Sequence, residues 1–213
     1  MNVKGWHYNY GCHGVGSSTA VDSLLSIKRL VYDEKTVSKD EFLDALENNF
    51  KGHEALYNKL NSSEDKLCTD NEDADELLKY LFDSFAKALS KLRSNRQRIR
   101  PGTGSAQFYT VLTQGDSPEL KATADGRKTG DYISSSLAPS PKAKVNGILS
   151  VLQAYRHIDY MKICNGGPIT TEISKDVFKD DNSKFIGFIK AFIKSRNQQM
   201  QINLLDKATL IDA

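Results

Sequence analysis

The stretch from Arg100 to Pro141 limits what this chain can fold into more than any other feature. Gly102, Gly104, Gly115, Gly126 and Gly130, together with Pro101, Pro118, Pro139 and Pro141, break about forty residues into turns. A single strand, Gln107 to Leu112, is expected inside it. So long an irregular segment carries many backbone polar groups that its own structure does not pair. It fits a path draped over a larger body better than an isolated small domain.

Helices outnumber strands in the remainder. One is expected from Ser17 or Ser18 to Tyr32, where Val21, Leu24, Leu25, Ile27 and Val31 form an apolar stripe with Lys28 at its polar edge. Ser38 and Glu41 make an S-x-x-E capping box for a second, with Phe42, Leu43 and Leu46 as its buried face. A short helical piece covers Glu54 to Leu60, and the strongest pattern runs from Asp73 to Leu92. There, Leu77, Leu78, Leu81, Phe82, Phe85, Ala88, Leu89 and Leu92 repeat at helical spacing. Acidic residues open that helix and Lys91 and Arg93 close it, as the helix dipole favours.

A helix near Ile148 to His157 precedes the turn Cys164-Asn-Gly-Gly-Pro168. Another starts at Asn182 or Ser183, with Phe185, Phe188, Ile189, Phe192 and Ile193 on an apolar face wide enough for more than one neighbour. Gln199 to Leu204 alternates strictly, placing Met200, Ile202 and Leu204 opposite Gln199, Gln201 and Asn203. Asp206 is expected to cap a last helical start. The order is mixed α/β, with too few evident strands to close a core of their own.

The 213 residues carry a net charge of +2, 39% hydrophobic and 26% charged residues, which suits one globular domain and neither disorder nor a membrane protein. No apolar run approaches the roughly 20 residues of a membrane span. Met1 to Tyr10 has neither a basic head nor an apolar stretch, so the cytoplasm is the expected location. The small charge gives little general pull towards nucleic acid or anionic lipid, and neither is expected as a partner. Cys12, Cys68 and Cys164 are odd in number and widely spaced, which is not a disulfide framework.

Several local patterns stop short of a site. Gly11 to Thr19 looks like a phosphate loop, but Ser17 stands where a P-loop needs lysine and no clear strand precedes it, so it reads as a glycine loop shaped by close packing. His7, Cys12 and His13 lack a fourth zinc ligand at a partner spacing. His53-Glu54 begins an HExxH motif that Tyr57 ends. The basic run Lys91, Arg93, Arg96, Arg98 and Arg100 reads as a solvated helix end or an ion-pairing strip. Cys68 and Cys164 have no evident activating neighbours. Asp125-Gly-Arg127 is a tight turn whose charges are expected to satisfy each other, although an arginine there could also hold a substrate carboxylate. No catalytic, cofactor-binding or metal-binding residues are assigned from these patterns.

Read in order, longer motifs resemble the glycyl radical enzymes of the pyruvate formate-lyase type. Gly5-Trp-His-Tyr-Asn9 resembles the family's GGAxYN, and Asp22 to Lys28 with Leu30 to Lys35 resembles DSLAAIKxLVFDEK. Ala45 to Gly52 matches ALxxNFxG. Ala124-Asp-Gly-Arg-Lys-Thr-Gly130 is similar to ATPDGRKAG, and Leu137 to Pro141 and Asn146-Gly147 follow in the family's order. Gln199 to Asn203 and Thr209 to Ala213 resemble the QxQxN strand and TLxDA tail. Gly166 to Glu172 looks more like the dehydratase and decarboxylase-like members. Arg196-Asn197 stands where the family has a glycine pair, and Cys68 to Asp73 replaces KYGNDD.

The resemblance implies an α/β fold, a portion of the second half of a ten-stranded α/β barrel with surrounding helices, spanning 1–213 as a partial domain. It implies anaerobic, formate acetyltransferase-like lyase chemistry: a protein glycyl radical, installed by a radical SAM activating enzyme, generates a cysteine thiyl that attacks a small-molecule substrate. The family's cysteine lies in a GCxE loop and its glycine in an RVxGY loop, and neither motif occurs in this sequence. Cys12 falls in GCHG, downstream of the cysteine loop, and neither Gly14 nor Gly16 is the radical glycine. The expectation is therefore a fragment of a glycyl radical enzyme, inactive alone. Its expected partner is the remainder of the barrel or a chain bearing the glycyl radical. The alternatives are a subunit of a split enzyme, or a non-catalytic structural or interaction protein.

Overall fold

The computed structural model of the chain describes residues 11–94, 97–103, 120–177 and 182–206. Strand β1 (Gly11–Gly14) leads into α1 (Ser17–Ile27), which continues as a π-helical turn, Lys28–Asp33. Helices α2 (Lys39–Glu47), α3 (Glu54–Ser62) and α4 (Glu72–Ser90) follow, then a small hairpin, β2 (Arg93–Ser94) with β3 (Gln97–Arg98), and β4 (Arg100–Thr103). After the turn-rich segment come α5 (Ile148–Tyr155), β5 (Pro168–Ser174), α6 (Asn182–Ser195) and β6 (Gln199–Leu205). The strand expected at Gln107 to Leu112 and the helical start expected after Asp206 lie outside the described residues.

Two helices begin on local caps. Ser38 Oγ accepts from the Glu41 N–H at 3.1 Å, as the capping box predicts, and Asn71 accepts from the Ala74 N–H at 3.2 Å. Two others begin at glycines with positive φ that offer no capping side chain, Gly16 before α1 and Gly147 before α5. Their free N–H and hydroxyl groups are met from far along the chain. Ser134 Oγ accepts from the Thr19 N–H at 3.1 Å, and the Asp70 carboxylate accepts from Ser150 and from Asn146 Nδ2.

The longer strands pair in parallel. Gly11 to Gly14 match Arg100 to Thr103, and Pro168 to Ser174 match Gln199 to Leu205 residue for residue. Hydrogen bonds join the two pairs into one wall. Asn165 N donates to Pro101 O at 2.9 Å and Thr103 N donates to Gly166 O at 3.0 Å, with Gly166 at positive φ in the turn before β5. The approach is so close that a Cβ on Gly102 would overlap the backbone oxygen of Asn165. Leu137 bridges to Ile169 through Leu137 N to Pro168 O and Thr170 N to Leu137 O. The result is α/β, with short parallel sheets and surrounding helices, and among the described residues the wall does not close into a barrel.

The main core joins Val21 and Leu25 of α1, Leu78 and Phe82 of α4, and Leu152 and Tyr155 of α5 to Ile169 and Phe188. A second cluster sets Leu30 and Phe42 against Phe50, Leu60 and Ala124. Several expectations change here. Leu43 is 58% exposed because the buried side of α2 is carried by Phe42 and Ala45. Leu92 lies beyond the end of α4 and is exposed. The glycine loop contains β1 and the turn at Cys164 leads straight into β5; both strands were missed because their pairing partners are remote in sequence.

Candidate functional site

A groove of about 1210 Å³ opens between β5, β6, the loop at 133–141 and helices α5 and α6. The parallel register places Thr170 beside Gln201 and Glu172 beside Asn203 on one face of the strand pair. Gln201 Nε2 donates to Asn203 Oδ1 at 3.1 Å. Ile169, Ile173, Met200 and Ile202 lie on the opposite face, where they pack into the core. Alternation alone left the orientation of β6 open; packing resolves it, with the amide side chains turned away from the core. Leu204 shares the apolar side but is half exposed.

The loop wall of the groove is sewn to the first turns of α1. Gly16 N donates to Ser134 O at 3.0 Å, Ser134 N donates to Thr19 Oγ1 at 3.0 Å, and Ser18 Oγ donates to Ala138 O at 2.5 Å. The Asp22 carboxylate, fully buried, accepts from Leu67 N at 2.8 Å and from Ser140 Oγ at 2.6 Å. Burial pushes its carboxyl up to about 6, although those two donors and nearby Lys66 oppose the shift. Tyr155 bonds to Ser18 Oγ at 2.8 Å and meets Cys68, and burial drives both the phenol and the thiol well up. Ser135 Oγ lines the groove and, among the described residues, is buried without a hydrogen-bond partner.

The motifs considered from sequence alone fall into structural roles. His13 Nδ1 donates to Thr103 O at 2.7 Å, and its Nε2 accepts from Asn165 Nδ2 at 3.0 Å, which ties β1 to the turn before β5. His53 contacts Asp44 at 2.7 Å. Cys12 is half-buried in β1, Cys68 is buried and Cys164 is exposed. His7 lies outside the described residues.

Arg127 and Asp125 do not satisfy each other's charge, which corrects the expectation for that turn. The Arg127 guanidinium donates to Asp131 O at 2.8 Å, Lys128 O at 3.0 Å and Lys121 O, while Asp125 Oδ1 accepts from Thr123 Oγ1 at 2.5 Å. Backbone carbonyls thus occupy an arginine that could otherwise have held a substrate carboxylate. The basic run does not extend α4: the helix stops at Ser90, and Arg93 and Arg98 face each other across the β2–β3 hairpin.

Sequence reasoning passed over Asp22 and the buried Lys66, whose Nζ donates to Asp125 O at 2.9 Å. A signal was present for the first. Ser18, Asp22 and Ser26 recur every fourth residue on the buried side of α1, a polar stripe that needs partners.

Comparison with known proteins covers both halves of the chain. A family described as pyruvate formate lyase-like matches residues 1–113, and one described as glycine radical matches residues 133–213. The chain is 29% identical to (2S)-3-sulfopropanediol dehydratase of Klebsiella oxytoca over 92% of its length and 24% of that protein's. It is 25% identical to trans-4-hydroxy-L-proline dehydratase of Clostridioides difficile, over 94% of this chain and 25% of the relative. Among solved structures, the glycerol-bound B12-independent glycerol dehydratase of Clostridium butyricum superposes with a TM-score of 0.87 at 25% identity, over 98% of this chain and 26% of that one. The chain therefore spans about a quarter of the length of the relatives it matches.

Proposed function

The chain belongs to the glycyl radical, pyruvate formate lyase-like family, and from that premise we propose that it forms part of the barrel wall of a dehydratase-type radical lyase and performs no radical turnover as these 213 residues alone. The observation that carries this reading is the two-sided β5–β6 pair. One face is committed to the core, while the other presents Thr170, Glu172, Gln201 and Asn203 beside a large groove. Such a face suits a polyol or hydroxy acid. Neutral amides can donate to and accept from substrate hydroxyls, and Glu172 supplies one carboxylate for orienting or proton exchange.

In this family a stored glycyl radical supplies hydrogen abstraction through a cysteine. These residues do not fit that role: the sequence has neither GCxE nor RVxGY, Cys68 is buried with its thiol strongly protonated, and Cys12 sits in the wall. The partner in this reading is the larger part of the barrel, carrying both loops, on the same chain or a separate one. The exposed apolar residues Ile186 and Ile193 of α6 and Leu149 of α5 support such a partner, since they present surface suited to packing. No helix among the described residues is long and apolar enough to cross a membrane.

The test is electron paramagnetic resonance under strictly anaerobic conditions, after incubation with a radical SAM activating enzyme, S-adenosylmethionine and reductant. The 213-residue chain should give no glycyl signal and dehydrate no diol. Co-expressed with a chain bearing GCxE and RVxGY, it should co-purify with it, and dehydration should depend on Glu172 or Gln201. A glycyl signal or turnover from the chain alone overturns the proposal.

A further inference from the structure

The sequence contains two Asn-Gly pairs, Asn146-Gly147 and Asn165-Gly166, and the fold treats them differently. Both glycines have positive φ and open space around the position a Cβ would take. Asn165 is half-buried inside the wall. Its N–H bonds Pro101 O, its side chain bonds His13, and the next carbonyl, Gly166 O, accepts from Thr103 N. Asn146 is exposed at the entrance to α5. Its side chain donates to Asp70 Oδ2 at 2.9 Å and to Thr69 O at 3.3 Å.

We propose that Asn146 is a deamidation site whose conversion to a carboxylate releases Asp70 from the start of helix α5. The Gly147 backbone nitrogen attacks Asn146 Cγ and gives up its proton, the Cγ–Nδ2 bond breaks, and ammonia departs to leave a cyclic imide. Water then opens the ring to aspartate or isoaspartate. A glycine on the C-terminal side leaves the attacking nitrogen sterically free, and solvent exposure supplies the water. At Asn165 the same rotation would break the bonds to Pro101 and His13 and disturb the Thr103 contact, which pins the segment.

The product changes the charge pattern at one specific contact. Asp70 now accepts from Asn146 and from Ser150 in the first turn of α5, and these two bonds hold its carboxyl below its ordinary range. A carboxylate at position 146 cannot donate, and it faces Asp70 at hydrogen-bond distance with like charge. The loop bearing Thr69 and Asp70 then loses its hold on the start of α5, a helix whose residues Ile148, Leu149 and Val151 line the groove.

The full-length chain is aged in mildly alkaline buffer and mapped by peptide mass spectrometry, beside the same chain in denaturant. In the folded chain the Asn146 peptide should deamidate at least about tenfold faster than the Asn165 peptide, because the Asn165 N–H is bonded across the wall to Pro101 O, whereas Asn146 is held through its side chain. In denaturant the two should convert at similar rates. Equal rates in the folded chain, or an intact Asn146 where the denatured control has converted, overturn the proposal. Asn146→Asp should raise amide hydrogen exchange across 147–151 several-fold, and adding Asp70→Asn, which restores a donor, should reverse it. Unchanged exchange in Asn146→Asp, or no reversal, overturns the release of Asp70 from α5.

Discussion

Ser134 Oγ caps the N-terminus of α1 by accepting the Thr19 backbone N–H at 3.1 Å across 115 positions of sequence, and Thr19 Oγ1 returns the bond by accepting from Ser134 N at 3.0 Å. A helix whose own cap residue is Gly16 therefore draws a partner for one of its first N–H groups from the 133–141 loop. Capping, usually a local matter, has here become a tertiary one, and it links the matched region 1–113 to the matched region 133–213.

Ser134→Ala should destabilise the chain by about 1–2 kcal/mol, the cost of removing a cap and leaving a buried N–H unpaired. Ser135→Ala is the control, since among the described residues its Oγ has no partner to lose. Urea unfolding of both variants checks this, and equal losses would remove the case for a tertiary cap.

Asp22 predicts an unusual pH dependence. Its native carboxyl lies at about 6 against an ordinary 3.8, raised first by burial. Between those values the native chain holds a proton that the unfolded chain has released. The stability owed to this group therefore falls as pH rises through that window, and above it the buried charge costs on the order of 3 kcal/mol. In Asp22→Asn, which can still accept from Leu67 N and can donate to Ser140, this contribution should vanish and stability near neutral pH should rise. Thermal melts of both chains between acid and neutral pH give the difference directly. A variant less stable at neutral pH would show instead that the ionised hydrogen bonds outweigh the desolvation.

Arg196, just after α6, has φ 58°, the left-handed region that glycine tolerates best. The next residue, Asn197, is the one that the fold uses at this turn. Asn197 is buried, donates to Leu152 O at 3.0 Å and accepts from Tyr160 Oη at 3.0 Å. Arg196→Gly should stabilise the chain by up to about 1 kcal/mol through relief of the left-handed conformation. Asn197→Gly should destabilise it by about 1–3 kcal/mol, because Leu152 and Tyr160 lose a buried partner. Denaturant midpoints separate the two outcomes.

Cys68 should resist thiol reagents in the native chain, since burial raises its thiol far above the working range and leaves almost no thiolate. Exposed Cys164 should react first. Timed alkylation with peptide mapping checks the order, and early labelling of Cys68 would contradict its packing beside Tyr155.

The sequence by itself determined the helices and the family. Ser38 with Glu41, the Leu78–Phe82 stripe and the acidic start of α4 are signals contained within a few turns, because a helix bonds each residue to one four positions away. The ordered motifs from Asp22 to Asn203 likewise need no coordinates to be read. Tertiary structure alone decided the wall and the loop that lines its groove. β1 pairs with β4 about ninety residues on, β5 pairs with β6 across α6, and Leu43 and the Arg127 turn took roles that their local patterns did not foretell. Parallel pairing, the Ser134 cap, the Asp70–Asn146 contact and the buried Asp22 clasp each join groups far apart in sequence. No local periodicity encodes such partners; only the packed chain brings them within hydrogen-bonding distance.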